Sequence, residues 1–174
     1  MIPQALFSDS IKLMTKRGVH ISKVTDFLKE WTVRHFKNRD LMLQNIEDIK
    51  EAEEYVDIKY KDRLQRYYLI GFLTDDNFSK IKNDIAKDQF CTIILFNTRA
   101  NLDFVVKAWN DLIKNRKLSI MFINPFSKTD KLWSFYPATH NYIAEGKGIK
   151  AGLSALFMNV DESTEQELRK IIES

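Results

Sequence analysis

Three groups of side chains have types and spacings that could do chemistry. The first is Asp57-Ile58-Lys59, with Asp48 and Glu53 upstream. Residues two apart on a strand share one face, so Asp57 and Lys59 could act together: carboxylates hold Mg²⁺ while the lysine orients an attacking water. The second is polar residues that follow apolar runs: Asp75 after Leu73-Thr74, Asn97-Thr98-Arg99 after Cys91–Phe96, and Trp133, Tyr136, His140 and Asn141 after Leu118–Ile123. A histidine among aromatics titrates near neutrality and suits acid–base work, and an arginine at a helix start suits an anion. The third is a basic arm, with Lys23, Arg34 and Lys37 as candidate phosphate contacts. A glycine cluster, Gly146, Gly148 and Gly152, is only a lookalike of a dinucleotide-binding loop. No strand precedes it and its third glycine is displaced from dinucleotide-binding spacing.

Each group has a plainer reading. Metal-dependent nucleases of the restriction-enzyme type carry an acidic residue and then an acidic-x-Lys triplet on a neighbouring strand. Here the triplet falls on the first strand of a hairpin rather than on one leading into a crossover helix, so an ordinary exposed hairpin face is the favoured explanation. Asp75, Asn97 and Thr98 suit helix caps and turns. Glu30 and Arg34 sit four apart, as on an ordinary solvated helix face, and Trp31 falls on that helix's apolar side. The three histidines do not share ligand spacing, and no Ser/Cys–His–Asp arrangement supports a nucleophilic triad.

The elements that would position these residues follow from periodicity. Ser8 or Asp9 could cap a short helix through Lys16. Ile21, Val24, Phe27, Leu28 and Trp31 recur at helical spacing over about 21–36. Glu53–Phe72 predicts a β-hairpin, because Val56, Ile58 and Tyr60 alternate with Tyr55, Asp57 and Lys59 before Lys61-Asp62-Arg63 breaks the pattern. A helix from Ile46 to Leu64 is the competing reading. A helix is expected over 77–86, a buried strand over 92–96, a helix over 101–114 capped at Asn101, and a buried strand over 118–123. The crossover between those strands makes them parallel. Beyond Asn124 more than twenty residues lack a pattern, apart from a short strand over 133–136 ended by Pro137. Two helices close the chain, the second opened by the capping-box pair Thr164 and Glu167.

The chain has 174 residues, 44% hydrophobic and 29% charged, which is ordinary globular composition, and a net charge of +3. The charge is uneven: eight Lys/Arg against two acids between Lys12 and Arg39, then two Lys/Arg against five acids from Ala151 onward. The lone Cys91 excludes an internal disulfide and a cysteine-built zinc cluster. No apolar run reaches membrane-span length, and a cytoplasmic setting is expected. The reading is a single α/β (α+β-like) domain over 1–174. A basic helical arm over 1–40 leads to a β-hairpin, a strand–helix–strand parallel crossover in a mixed sheet, and two C-terminal helices. In an open sheet of this kind, ligands are expected at the carboxyl ends of the parallel strands.

The function expected is a binding or adaptor module without its own catalytic chemistry or cofactor, contacting nucleic acid or a partner protein through the basic arm and the aromatic loop. One alternative is a nuclease or phosphoesterase using Asp48, Glu53, Asp57 and Lys59 with Mg²⁺. The other is a small-molecule enzyme or sensor anchored by Arg99 and His140. The tyrosines of the hairpin (Tyr55, Tyr60, Tyr67, Tyr68) form a surface that the domain's own helices or a second copy, as a homo-oligomer, would cover.

Overall fold

Three parallel strands form the centre of the molecule. In the computed structural model, which describes residues 18–144 and 148–173, β1 (Ile46–Glu51), β2 (Tyr55–Tyr60) and β3 (Leu64–Gly71) form an antiparallel meander. The chain then crosses through α2 (Asp75–Ile85) to β4 (Phe90–Phe96), and through α3 (Arg99–Lys107) and α4 (Trp109–Leu112) to β5 (Leu118–Ile123). β3, β4 and β5 are parallel neighbours, and β6 (Leu132–Phe135) returns antiparallel beside β5, giving six strands in sequence order. Helix α1 (Gly18–Asp40) precedes the sheet, and α5 (Pro137–Ile143), α6 (Ile149–Phe157) and α7 (Glu165–Glu173) follow it. The mixed α/β class, the hairpin and the parallel crossover are as the sequence predicts. The helix expected over residues 8–16 lies outside the described residues. No described helix is long and apolar enough to cross a membrane.

Strand alternation divides the core in two. Ile93, Leu95, Ile120 and Phe122 face one side, where they pack with Phe78, Ile81, Leu102, Val105, Leu153 and Phe157 of α2, α3 and α6. Ile94, Phe96, Met121 and Ile123 face the other, with Leu28 and Trp31 of α1 and Leu168 and Ile171 of α7. The two C-terminal helices therefore cover opposite faces. Tyr67 and Tyr68 are buried and Tyr55 and Tyr60 half-buried within the single chain; Phe36 of α1 packs on Tyr67 (ring centroids 4.5 Å).

Local chemistry differs from the sequence expectation at several places. β1 was not foreseen because Ile46 and Ile49 stand at helical spacing. A bulge between Ile46 and Asp48 makes Glu47 the extra residue and returns both isoleucines to the α1 side. The cap of α3 is Thr98, whose hydroxyl accepts from the Asn101 N–H (3.3 Å). The helix expected over 101–114 breaks at Ala108 into α3 and α4. Pro137, with its preset φ, opens α5 inside the stretch expected to be irregular. The capping box of α7 is present: Glu167 Oε2 accepts from Thr164 N–H (2.8 Å), and Thr164 Oγ1 accepts from Glu167 N–H (3.3 Å).

Candidate functional site

The carboxyl ends of the parallel strands, the expected ligand end, are closed by the chain itself. Asn97 is fully buried; its Nδ2 donates to the carbonyls of Val160 (2.9 Å) and Asp161 (3.2 Å), and its Oδ1 accepts from the Trp133 indole (2.8 Å). Asn124 Nδ2 donates to the same Asp161 carbonyl (3.0 Å), and Ser163 N–H donates to Asn97 O (2.8 Å). Asn101, 2% exposed, donates to Gly71 O and Phe96 O (both 2.8 Å) and accepts from Leu73 N–H (2.9 Å), joining the ends of β3 and β4. Thr98 caps α3, while the Arg99 guanidinium lies over the Phe157 ring at 4.6 Å. Asp75, exposed at the start of α2, pairs with Lys107 at 3.1 Å. Buried polar groups must be satisfied, and here segment 158–163 supplies the partners of the Asn97 and Asn124 amide groups.

β6 also moves part of the expected set to the opposite end. Because it runs antiparallel to β5, Tyr136, His140 and Asn141 follow its last residue at the amino ends of β4 and β5, and only Trp133 stays with the carboxyl-end cluster. Trp133 stacks on Phe122 (4.5 Å, 6°). Asn141 Oδ1 accepts from the Trp109 indole (3.0 Å), and His140 Nδ1 donates to Tyr136 O (2.9 Å). No contact links Arg99 to His140, and the two belong to opposite ends of the sheet.

The acidic-x-lysine face is organised as ion pairs. Cross-strand register sets Asp48 opposite Lys59, Lys50 opposite Asp57, and Asp57 opposite Arg66. Arg66 grips both Asp57 oxygens at 2.8 Å and lies 3.8 Å over the Tyr55 ring. That carboxylate raises the pKa of the guanidinium further above its ordinary value. Lys59 bonds Glu47 (2.7 Å), which also raises its pKa, and Glu53 stands in the turn between β1 and β2. Among the described residues no three His, Cys, Asp or Glu side chains gather to hold a metal ion, and both oxygens of the triplet's carboxylate, Asp57, are engaged by Arg66. In the basic arm, Lys23 donates to Ile172 O (2.9 Å), Arg34 pairs with Glu30 (3.6 Å), and Lys37 has no ion pair among the described residues.

A polar cavity of about 340 Å³ opens on the α1 side of the sheet near the amino ends of β4 and β5. Its floor is a row crossing four strands: Gln65, Thr92, Ser119 and Ser134. Gln65 Nε2 donates to Thr92 Oγ1 (2.8 Å), which lies 2.7 Å from Ser119 Oγ. These three are buried, at 7%, 2% and 7% exposure, on a sheet face otherwise filled by Tyr67, Leu69, Ile94, Phe96 and Met121. One wall is Tyr60 and Tyr67, whose hydroxyls are 2.9 Å apart. Burial is the largest cause raising both phenol pKa values, so both remain O–H at neutral pH. The last turn of α1 adds Phe36, Arg39 and Asp40, and Leu43, Arg63 and half-exposed Tyr136 complete the mouth.

Of the candidate site residues read from the sequence, Tyr136 alone lines this cavity; Tyr60 and Tyr67 of the hairpin's tyrosine surface line it too. The available signal was the pair of polar residues inside apolar runs, Thr92 in Phe90–Phe96 and Ser119 in Leu118–Ile123, which are direct register partners. No protein-family model matches the chain, and no curated protein or solved structure matches it either.

Proposed function

We propose that this chain is a binding module without catalytic chemistry of its own, and that its ligand is a small polar molecule held in the cavity beneath the end of α1. One observation carries the reading: buried polar side chains form a continuous row across the centre of the sheet, at positions that packing alone would fill with apolar residues. A buried hydroxyl costs desolvation and returns little net stability even when hydrogen-bonded. Concave sites with a few convergent polar groups on a rigid scaffold are what ligand binding requires. Among the described residues no nucleophile, base and orienting group converge in the cavity, which favours binding over turnover.

The test is amide-resolved NMR with a library of small polar fragments. Hits should cluster on residues 65–67, 92 and 119. They should disappear in Ser134→Trp, which fills the cavity from an exposed strand position. Hits that scatter elsewhere, or persist in the filled variant, would refute the proposal.

A further inference from the structure

Counting hydrogens around the cavity gives the chemical class of its occupant. Thr92 and Ser119 hold two hydroxyl hydrogens between them and use one in their mutual bond. Thr92 Oγ1 already accepts from Gln65, and no other described acceptor takes the second hydrogen. The Tyr60–Tyr67 pair is in the same position, with one hydrogen shared and one spare. Among the described residues the one carboxylate in the lining, Asp40, already accepts through each oxygen, from the Asn45 and Ile46 N–H groups at 2.8 and 2.9 Å. Two guanidinium groups remain. Arg39 has no ion pair among the described residues, and Arg63 pairs with exposed Asp62 while lying 5.1 Å over the Tyr60 ring. Such an exposed pair contributes little and exchanges easily.

From this surplus of donors we infer that the cavity binds an organic oxyanion. Its carboxylate or phosphate faces Arg39, Arg63 and the tyrosine hydroxyls, and its apolar body lies against Phe36, Met121 and Tyr136. The inference rests on the cavity being the binding site. An oxyanion supplies only acceptors, which is what the spare hydrogens and guanidinium forks lack. A cationic molecule would leave the spare hydroxyl hydrogens without an acceptor and would offer none to either guanidinium group.

The experiment titrates the full chain by NMR with benzoate and phenyl phosphate, whose comparison separates a carboxylate from a phosphate, and with benzamide as a neutral counterpart of similar shape. At least one anion should bind saturably with shifts at residues 65–67, 92 and 119, roughly ten-fold more tightly than benzamide. Arg39→Gln and Arg63→Gln should each weaken it about ten-fold. Tyr67→Phe should weaken it several-fold, and Lys80→Gln, an equal charge change on α2, should leave it unaltered. Benzamide binding as well as the anions, or anion binding indifferent to Arg39 and Arg63, overturns the oxyanion assignment while the cavity reading stands. Shifts from none of the three probes overturn the assignment, and the fragment screen then judges the cavity separately.

Discussion

Changing Asn97 to aspartate alters one NH₂ group to an oxygen and leaves the shape of the side chain intact. The position is fully buried, and the group replaced donates to Val160 O and Asp161 O. An ionised carboxylate there would face two carbonyl oxygens, with one oxygen still accepting from Trp133. Val160 O is left without a donor, at a cost of about 1–3 kcal/mol, while Asp161 O keeps its bond from Asn124 Nδ2. Burying the charge adds a penalty that the side chain can avoid only by holding its proton. Asn97→Asp at pH 7 should therefore lose about 3–5 kcal/mol, a large part of the roughly 5–15 kcal/mol that holds a domain together. The raised carboxyl pKa gives the loss a pH signature. Between the unfolded value of about 3.9 and the folded one, the native state binds more protons than the unfolded state. The deficit relative to the parent protein should grow as pH rises through that window and then level off. Asn97→Ala, which orphans the Trp133 indole and the Val160 carbonyl while Asp161 O keeps its bond from Asn124 Nδ2, should cost a similar amount without the pH dependence.

Urea unfolding followed by tryptophan fluorescence measures both variants directly. An unchanged m-value would show that the loss is in native stability rather than in the unfolded ensemble. A loss below about 1 kcal/mol for Asn97→Asp would refute the claim that segment 158–163 closes this end of the sheet through Asn97. In Asn97→Ala, under conditions where it is folded, affinity for the anionic probes should match the parent, because the cavity lies at the other end of the strands.

Three further outcomes follow from local geometry. Gly71 sits at φ +69°, where an added Cβ would lie 3.0 Å from Val24 Cγ1 and 3.2 Å from Leu28 and Phe96 atoms, so Gly71→Ala should destabilise by about 2–4 kcal/mol in chemical denaturation; near-neutral stability would contradict the close approach of α1. Cys91 is buried, and desolvation pushes its thiol up to about 12, so a thiol reagent at pH 8 should label it only as fast as the protein opens, with labelling accelerated by urea. His35 stacks on Trp31 at 4.8 Å, and burial, aided by Arg39, lowers its pKa; between that folded value and about 6.5 the unfolded state binds more protons, so stability should fall as pH drops through this window, and in His35→Phe the acid sensitivity of the urea midpoint should shrink.

Much of the scaffold was legible because its signals are local. Cys91–Phe96 and Leu118–Ile123 are short apolar runs separated by a helix, which leaves little choice but a parallel pair. The alternation around Ile58 and the Thr164–Glu167 spacing are equally self-contained. β1 was hidden because one inserted residue converts strand periodicity into apparent helical periodicity. No local pattern contains Glu47's role, which exists only in the register with β2. The break at Ala108 is of the same kind: Trp109 bonds Asn141, thirty-two residues away, a partner that no window around the helix includes.

The position of the site follows from what covers each end of the sheet. The rule that ligands gather at the carboxyl ends of parallel strands assumes that this end stays open. Here asparagines at the ends of β4 and β5 bind the backbone of segment 158–163, and the crevice becomes part of the core. Meanwhile β6, by reversing direction, carries Tyr136 to the amino ends, where the last turn of α1 stops short of filling the space above Thr92 and Ser119. In the sequence, an asparagine that ties down a returning chain and one that waits for a ligand look alike. The hydroxyls inside the strands are more telling, because a buried strand interior offers a polar side chain little benefit unless a polar partner faces it. The proposed site therefore rests on Thr92 and Ser119 rather than on the residues at the carboxyl ends of the strands.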